Sequence, residues 1–193
     1  MIRTESKDLP RIYQGDIYKN IDYLEYATEN SGIVEISKIL FPLVLVLTQD
    51  CDLEQDYNYR LNEESSSSQD KYLLSVLVVP LYNIEHFYDG EHLSEIGLKM
   101  AAFPRKSDAT DNKRLKQNEI PRFHYLEFPE DSELVSSVLD FKQYFAVDIK
   151  YLNSISKSNF VCKICELYRE DISHRFSSFL SRIGLPNTTT AQK

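Results

Sequence analysis

An α+β fold is what this sequence predicts, and three observations carry the prediction. Two apolar runs, Leu43–Thr48 and Tyr72–Val79, lack polar alternation, so each should be a strand buried on both faces. Apolar residues at Ile164, Leu167, Tyr168, Ile172, Phe176, Phe179, Leu180 and Ile183 recur at three- and four-residue spacing, which predicts an amphipathic C-terminal helix over about 164–183. Turn signals at Asn30-Ser31-Gly32 and Asp89-Gly90 divide the rest into short elements. With no Pro/Gly linker, residues 1–193 read as a single domain.

In chain order, residues 1–10 form a leader ending at Pro10. Arg11–Tyr18 then holds aromatic and β-branched residues interrupted by Gly15, predicting a turn or bulge before a short strand. Ile33, Val34 and Ile36 open a second strand. Pro42 donates no ladder hydrogen bond and should mark the start of the Leu43–Thr48 strand, and Pro80 should stop the Tyr72–Val79 strand. Residues 54–70 are polar and low in complexity and predict a loop. Leu93–Phe103 reads as a helix despite Gly97, with a short second helix near Asn112–Gln117. Arg122–Phe128 and Phe141–Ile149 read as strands joined by an acidic, turn-rich link with room for a helical turn. Gly184 and Pro186 supply the helix stop.

The composition excludes several classes. The longest apolar run, Ile39–Leu47, is too short to span a bilayer. The first residues hold no secretory signal, and three cysteines do not make a disulfide framework, so a cytoplasmic protein is expected. A net charge of −8 disfavours RNA as a partner and leaves a protein partner as the expectation, while the residues set no oligomeric state. Charge is uneven: Pro104–Arg122 carries six bases and three acids, hence +3 against −11 elsewhere. No Gly-rich phosphate loop, GxSxG elbow or HExxH occurs, so no cofactor is implied.

Gly15-Asp16-Ile17, Pro42-Leu43-Val44-Leu45-Val46-Leu47-Thr48 and Val78-Val79-Pro80-Leu81 together resemble the PemK/MazF-like family over roughly the first 85 residues. The resemblance implies an SH3-like β-barrel, with its core at about 11–82 and 122–150, a helical insertion at about 83–121 and the C-terminal helix closing it. The family's best-known members are toxin endoribonucleases. Phe41 stands here where the family has its catalytic Arg, and Tyr82 where it has its catalytic Thr. The resemblance therefore implies a non-catalytic or degenerate barrel, acting as a binding or regulatory component of a bacterial toxin–antitoxin or phage-defence-type system. The whole chain also resembles a bacterial family without an established activity, whose members share Gln-x-Cys-Asp at a strand end, Arg-x-His-Tyr-Leu (Arg122–Leu126) and a closing Arg-Ile-Gly-Leu-Pro (Arg182–Pro186).

Candidate chemistry concentrates at the end of the Leu43–Thr48 strand, in Gln49, Asp50, Cys51 and Asp52. Cys51 is the candidate nucleophile, with His124 as base and Gln49 as oxyanion donor, although Asp50 and Asp52 disfavour a thiolate beside them. Asp16, Asp50 and Asp52 could instead form an acidic pocket for a divalent cation, but turn-capping explains these residues with less assumption. Arg122 and His124 alternate in a strand and should share one face with a binding role, beside Tyr125, opposite Asp50 or Asp52. A divergent endoribonuclease would need its cation at Arg122 or in the basic segment. Cys162 and Cys165 have CxxC spacing, but without a second pair they read as packing residues.

Overall fold

The computed structural model describes residues 2–5, 10–62 and 68–182. Eight strands make one antiparallel sheet, curled into a half-barrel, in the order β1 (Thr4–Glu5), β8 (Phe160–Ile164), β2 (Asp16–Asn30), β3 (Ile33–Val46), β4 (Ser75–Asn83), β6 (Ser137–Asp140), β5 (Phe123–Leu126). The remaining strand, β7 (Phe145–Asp148), pairs with β4. The helices are α1 (Asp50–Leu61), α2 (Ile84–Asp89), α3 (Thr110–Lys116), α4 (Ile149–Asn159) and α5 (Glu166–Leu180). The protein is thus a mixed α+β fold.

The second run becomes strand only at Ser75, with Leu74 86% exposed before it, but from Val76 on it is covered on both sides, as is the Leu43–Leu47 run. Ile17, Leu45, Leu47, Val79 and Leu81 pack with Ile172, Phe176 and Phe179 of α5. Their neighbours Tyr18, Val44, Val46 and Val78 face the other way, onto Leu53 of α1 and Leu152 of α4. Because side chains alternate along a strand, each residue of such a run serves one of two cores. A third cluster, Ile84, Phe87, Tyr88, Leu115 and Val138, seats the segment between β4 and β5 on the sheet.

Several expected boundaries are corrected. Pro42 lies inside β3. The register Lys19↔Leu43 and Ile21↔Phe41 sets it opposite Asn20, whose φ of 55° takes that residue out of the ladder where proline has no N–H to offer. Pro80 lies inside β4, at the point where the strand passes from β3 (Val44↔Pro80) to β6 (Leu81↔Leu139). Residues 50–61 are helix rather than loop, and 63–67 fall outside the described residues. Leu93–Phe103 forms one 3-10 turn, Ser94–Ile96, ended by Gly97 at φ 76°, rather than a helix. Phe141–Ile149 divides into a 3-10 turn (Phe141–Gln143), β7 and the first residue of α4. The C-terminal helix begins at Glu166, since Ile164 is the last residue of β8; Ile183, Gly184 and Pro186 lie outside the described residues.

Candidate functional site

Residues 49–52 are not a free strand end but the first turn of α1, with Gln49 at its N-cap. Asp50 is bound there on several sides. Arg11 grips it with two guanidinium nitrogens, at 3.2 and 3.1 Å, the Gln14 backbone N–H donates to Oδ1 at 3.2 Å, and Arg169 Nη1 stands 3.6 Å from Oδ2. Burial alone would raise the Asp50 carboxyl, but the Arg11 and Gln14 hydrogen bonds and the two guanidinium charges outweigh it and hold it below the ordinary carboxylate range. The helix N-terminus favours the same charge. Arg11 also lies over the Tyr13 ring at 3.7 Å, which fixes its plane. This network ties the 10–16 segment to α1 and α5.

The turn feeding β2 explains the Gly15-Asp16 pair. Gly15 has φ 84°, a conformation that favours glycine, and a Cβ there would press on the Arg169 Cβ at 3.3 Å. Asp16 follows as a carboxylate that is 1% exposed. Its Oδ2 accepts from the Tyr13 N–H (2.8 Å) and the Tyr18 hydroxyl (3.1 Å), while Oδ1 has no hydrogen-bond partner. Burial pushes this carboxyl from 3.8 up to about 7, against the opposing pull of those hydrogen bonds. Asp16 also lines a cavity of about 300 Å³ together with Arg11, Tyr18, Lys157 and Phe160.

The other sequence-derived candidates are dispersed. Cys51 is exposed, and its thiol reaches Asp52 Oδ1 at 3.8 Å. Gln49 turns its amide away from Cys51 chemistry and donates to Ser173 Oγ of α5 at 2.8 Å. His124 is 3% exposed in β5, packed near Phe141, with Nε2 4.0 Å from Asp171 and Nδ1 unpartnered. Burial, aided by the Arg175 charge, pushes its imidazole down to about 3, so it is neutral at physiological pH. Among the described residues no hydrogen bond or ion pair joins Cys51 to His124. Arg122 does not face Asp50 or Asp52: its Nε donates at 2.8 Å to Asp140, which is 0% exposed. Tyr125 is held through its backbone, donating to Asn118 Oδ1 at 2.6 Å and accepting from Asn118 Nδ2 at 3.2 Å. With Asp50 held by arginines, Asp16, Asp50 and Asp52 do not make one acidic pocket.

The distal β2–β3 hairpin holds none of the chemistry-bearing residues described above. It turns at Ser31 and Gly32, both with positive φ (53° and 80°), the geometry that matches strand twist in two-residue hairpins. β2 leaves β8 after Tyr18 and β3 joins β4 only at Val44, so the distal part is a two-stranded ribbon. The register pairs Asp22 with Leu40, Leu24 with Lys38, Ala27 with Ile36 and Glu29 with Val34, and cross-strand partners share a face. That face therefore presents Leu40, Leu24, Ile36 and Val34, each more than half exposed. Tyr26 and Ile33 are exposed on the opposite face. The sequence does hold the signal, as β-branched and aromatic residues on both sides of Asn30-Ser31-Gly32.

No family model matches the chain, and no curated protein is significantly similar to it. Among the described residues no helix is long and apolar enough to cross a membrane.

Proposed function

We propose that this protein acts by binding another protein, with the β2–β3 ribbon as the contact element, and that it is a non-catalytic PemK/MazF-like barrel. One observation carries the binding reading: six large apolar side chains, Leu24, Tyr26, Ile33, Val34, Ile36 and Leu40, are each more than half exposed on a ribbon of about 30 Å whose base is packed by α4. Two-stranded ribbons are marginal in water, and apolar patches of this kind on otherwise polar surfaces mark interaction sites. Beyond the base, where Tyr151 and Asn159 bond to the backbone of Asp22, Lys19 and Asn20, the ribbon pairs with no further strand among the described residues, so an extended partner segment would gain ladder hydrogen bonds as well as apolar contact. The setting, a toxin–antitoxin or phage-defence-type system, rests on the resemblance carried by Gly15-Asp16-Ile17 and the two proline-bearing strands.

Cysteine-dependent catalysis lacks support from an observed base beside Cys51. A relocated ribonuclease cation at Arg122 lacks it too, because that guanidinium is committed to Asp140.

The test is a paired comparison of the wild type with a Val34→Glu, Ile36→Glu double variant. Both positions are exposed, so thermal unfolding should shift by no more than about 0.5 kcal/mol per site. Partners that co-purify from the native host, identified by mass spectrometry, and the solution mass from light scattering should both differ between the two proteins. Identical co-purifying proteins together with identical mass would overturn the proposal.

A further inference from the structure

Charge adds to what the apolar side chains say about the ribbon. Between Leu24 and Ser37 it carries three acids, Glu25, Glu29 and Glu35, and no base. Among the described residues no ion pair meets any of the three. Lys38, the first base after them in the chain, is already held by Asp22 at 3.0 Å. The acids also favour one face. Glu35 and Ser37 alternate with Val34 and Ile36, so they share the face of Ile33. Glu25, at the bulge in β2, turns the same way, and its Oε2 accepts from the Ser37 hydroxyl at 2.7 Å. The opposite face of β3 holds Val34, Ile36 and Leu40. One side of this strand is therefore apolar and the other acidic.

The two edges of the ribbon differ. β2 is bulged between Leu24 and Tyr26, and α4 bonds to its backbone at Lys19, Asn20 and Asp22. Bulges and covering elements close an edge to further strands. β3 has neither. Among the described residues its backbone from Ile33 to Leu43 takes part in no hydrogen bond from outside β2. The open edge is thus the one whose side chains divide into an apolar and an acidic row.

We propose that the β3 edge takes up an extended protein segment in which apolar and basic residues alternate. Its apolar residues lie against Val34, Ile36 and Leu40, and its Lys or Arg side chains reach Glu25 and Glu35. The proposal rests on the ribbon being the contact element and names the chemistry of what it contacts. An alternating sequence is required because successive residues of an added strand fall on opposite faces. Ladder hydrogen bonds and apolar burial would serve many strands; the carboxylates select among them, since an acidic strand would meet like charge. A second copy of this chain fits poorly for the same reason, because pairing two ribbons gathers the unpaired glutamates of both.

The experiment is fluorescence anisotropy of the full chain with a labelled peptide of alternating Lys and Val, about eight residues long. Its controls are a Glu–Val twin and a Lys–Val peptide broken by central prolines, which lack the charge and the ladder respectively. The intact Lys–Val peptide should bind at least about tenfold tighter than either control, and should lose about tenfold between about 50 mM and about 300 mM salt. Glu25→Gln with Glu35→Gln, both at exposed positions, should weaken it about fivefold without moving the melting temperature. Glu54→Gln with Glu91→Gln removes the same charge from exposed positions elsewhere and should leave the affinity unchanged. Equal affinity for the Lys–Val peptide and either control, or equal weakening in the two charge variants, would overturn the proposal. So would a dimer in light scattering that Val34→Glu with Ile36→Glu dissociates, since the occupant would then be a second copy. If host partners depend on Val34 and Ile36 while no basic peptide is preferred, the ribbon stands as the contact element and the basic segment is ruled out.

Discussion

Replacing Asp16 by Asn should stabilise the protein increasingly as pH rises. Asn keeps an oxygen acceptor for the Tyr13 N–H and the Tyr18 hydroxyl but cannot ionise, so the comparison isolates the buried charge. Burial raises the folded-state pKa to about 7 from an unfolded value of 3.8. A group with a raised folded pKa binds its proton more tightly in the native state. Its contribution to stability is therefore full below pH 3.8 and is lost as pH climbs through 7. Raising a pKa from 3.8 to about 7 is worth about 1.36 kcal/mol per pH unit, and so about 4 kcal/mol by pH 8. Urea unfolding followed by circular dichroism, at several values from about pH 4 to about pH 8, measures the difference between variant and wild type. That difference should move toward the variant by about 4 kcal/mol across the range. A constant difference would refute the reasoning, since it would mean that the carboxyl titrates alike in folded and unfolded chains. A drift toward the wild type would mean that the hydrogen bonds to Oδ2 outweigh burial.

His124 should act with the opposite sign. Its folded pKa is depressed to about 3, so its contribution is present above pH 6.5 and lost as pH falls toward 3; His124→Phe should flatten the acid limb of stability between about pH 6 and pH 4. Asp56, 2% exposed, accepts from Arg60 Nε and from the Leu73 N–H at 2.7 Å, locking α1 to the lead of β4. Asp56→Ala should cost about 2 kcal/mol, measured as a lower urea midpoint, because it takes the acceptor from the part-buried Leu73 N–H and the carboxylate from Arg60. Iodoacetamide at about pH 8 should modify Cys51, which is exposed, and spare Cys162, whose thiol burial and the charges of Asp16 and Glu133 push up to about 12. Peptide mapping that found Cys162 labelled first would contradict that order.

The parts of the fold that declare themselves in the sequence are those where one physical force decides. Leu43–Thr48 and the Val78–Val79 pair read as doubly buried because apolar side chains on consecutive residues need cover on both faces, and α4 and α5 provide it. α1 is not legible because it is held by a few polar contacts, Asp56 with Arg60 and Leu73 and Asp50 with Arg11, rather than by an apolar stripe. Pro42 and Pro80 mislead for a common reason. A missing N–H stops a strand only where the ladder needs that donor: Pro42 lies opposite Asn20, which is out of the ladder, and Pro80 is the last residue paired with β3 before the strand passes to β6. Asp16 and Asp50 are legible as acidic residues of interest, whereas their separation into one orphaned and one clamped carboxylate depends on Arg11 and Arg169, whose approach only the folded chain sets. Pairing Cys51 with His124 requires a distance, which sequence spacing does not encode.

The place of β8 between β1 and β2 has a further consequence for synthesis. Thr4 pairs with Ile164 and Ile17 with Cys162, so β1 and β2 wait for a strand that is made long after them. Until β8 has emerged, the edge at residues 16–18 is an open template for any extended chain nearby. Nascent chains stalled before β8 should therefore engage chaperones through that edge, and supplying the 160–164 strand in trans should release them.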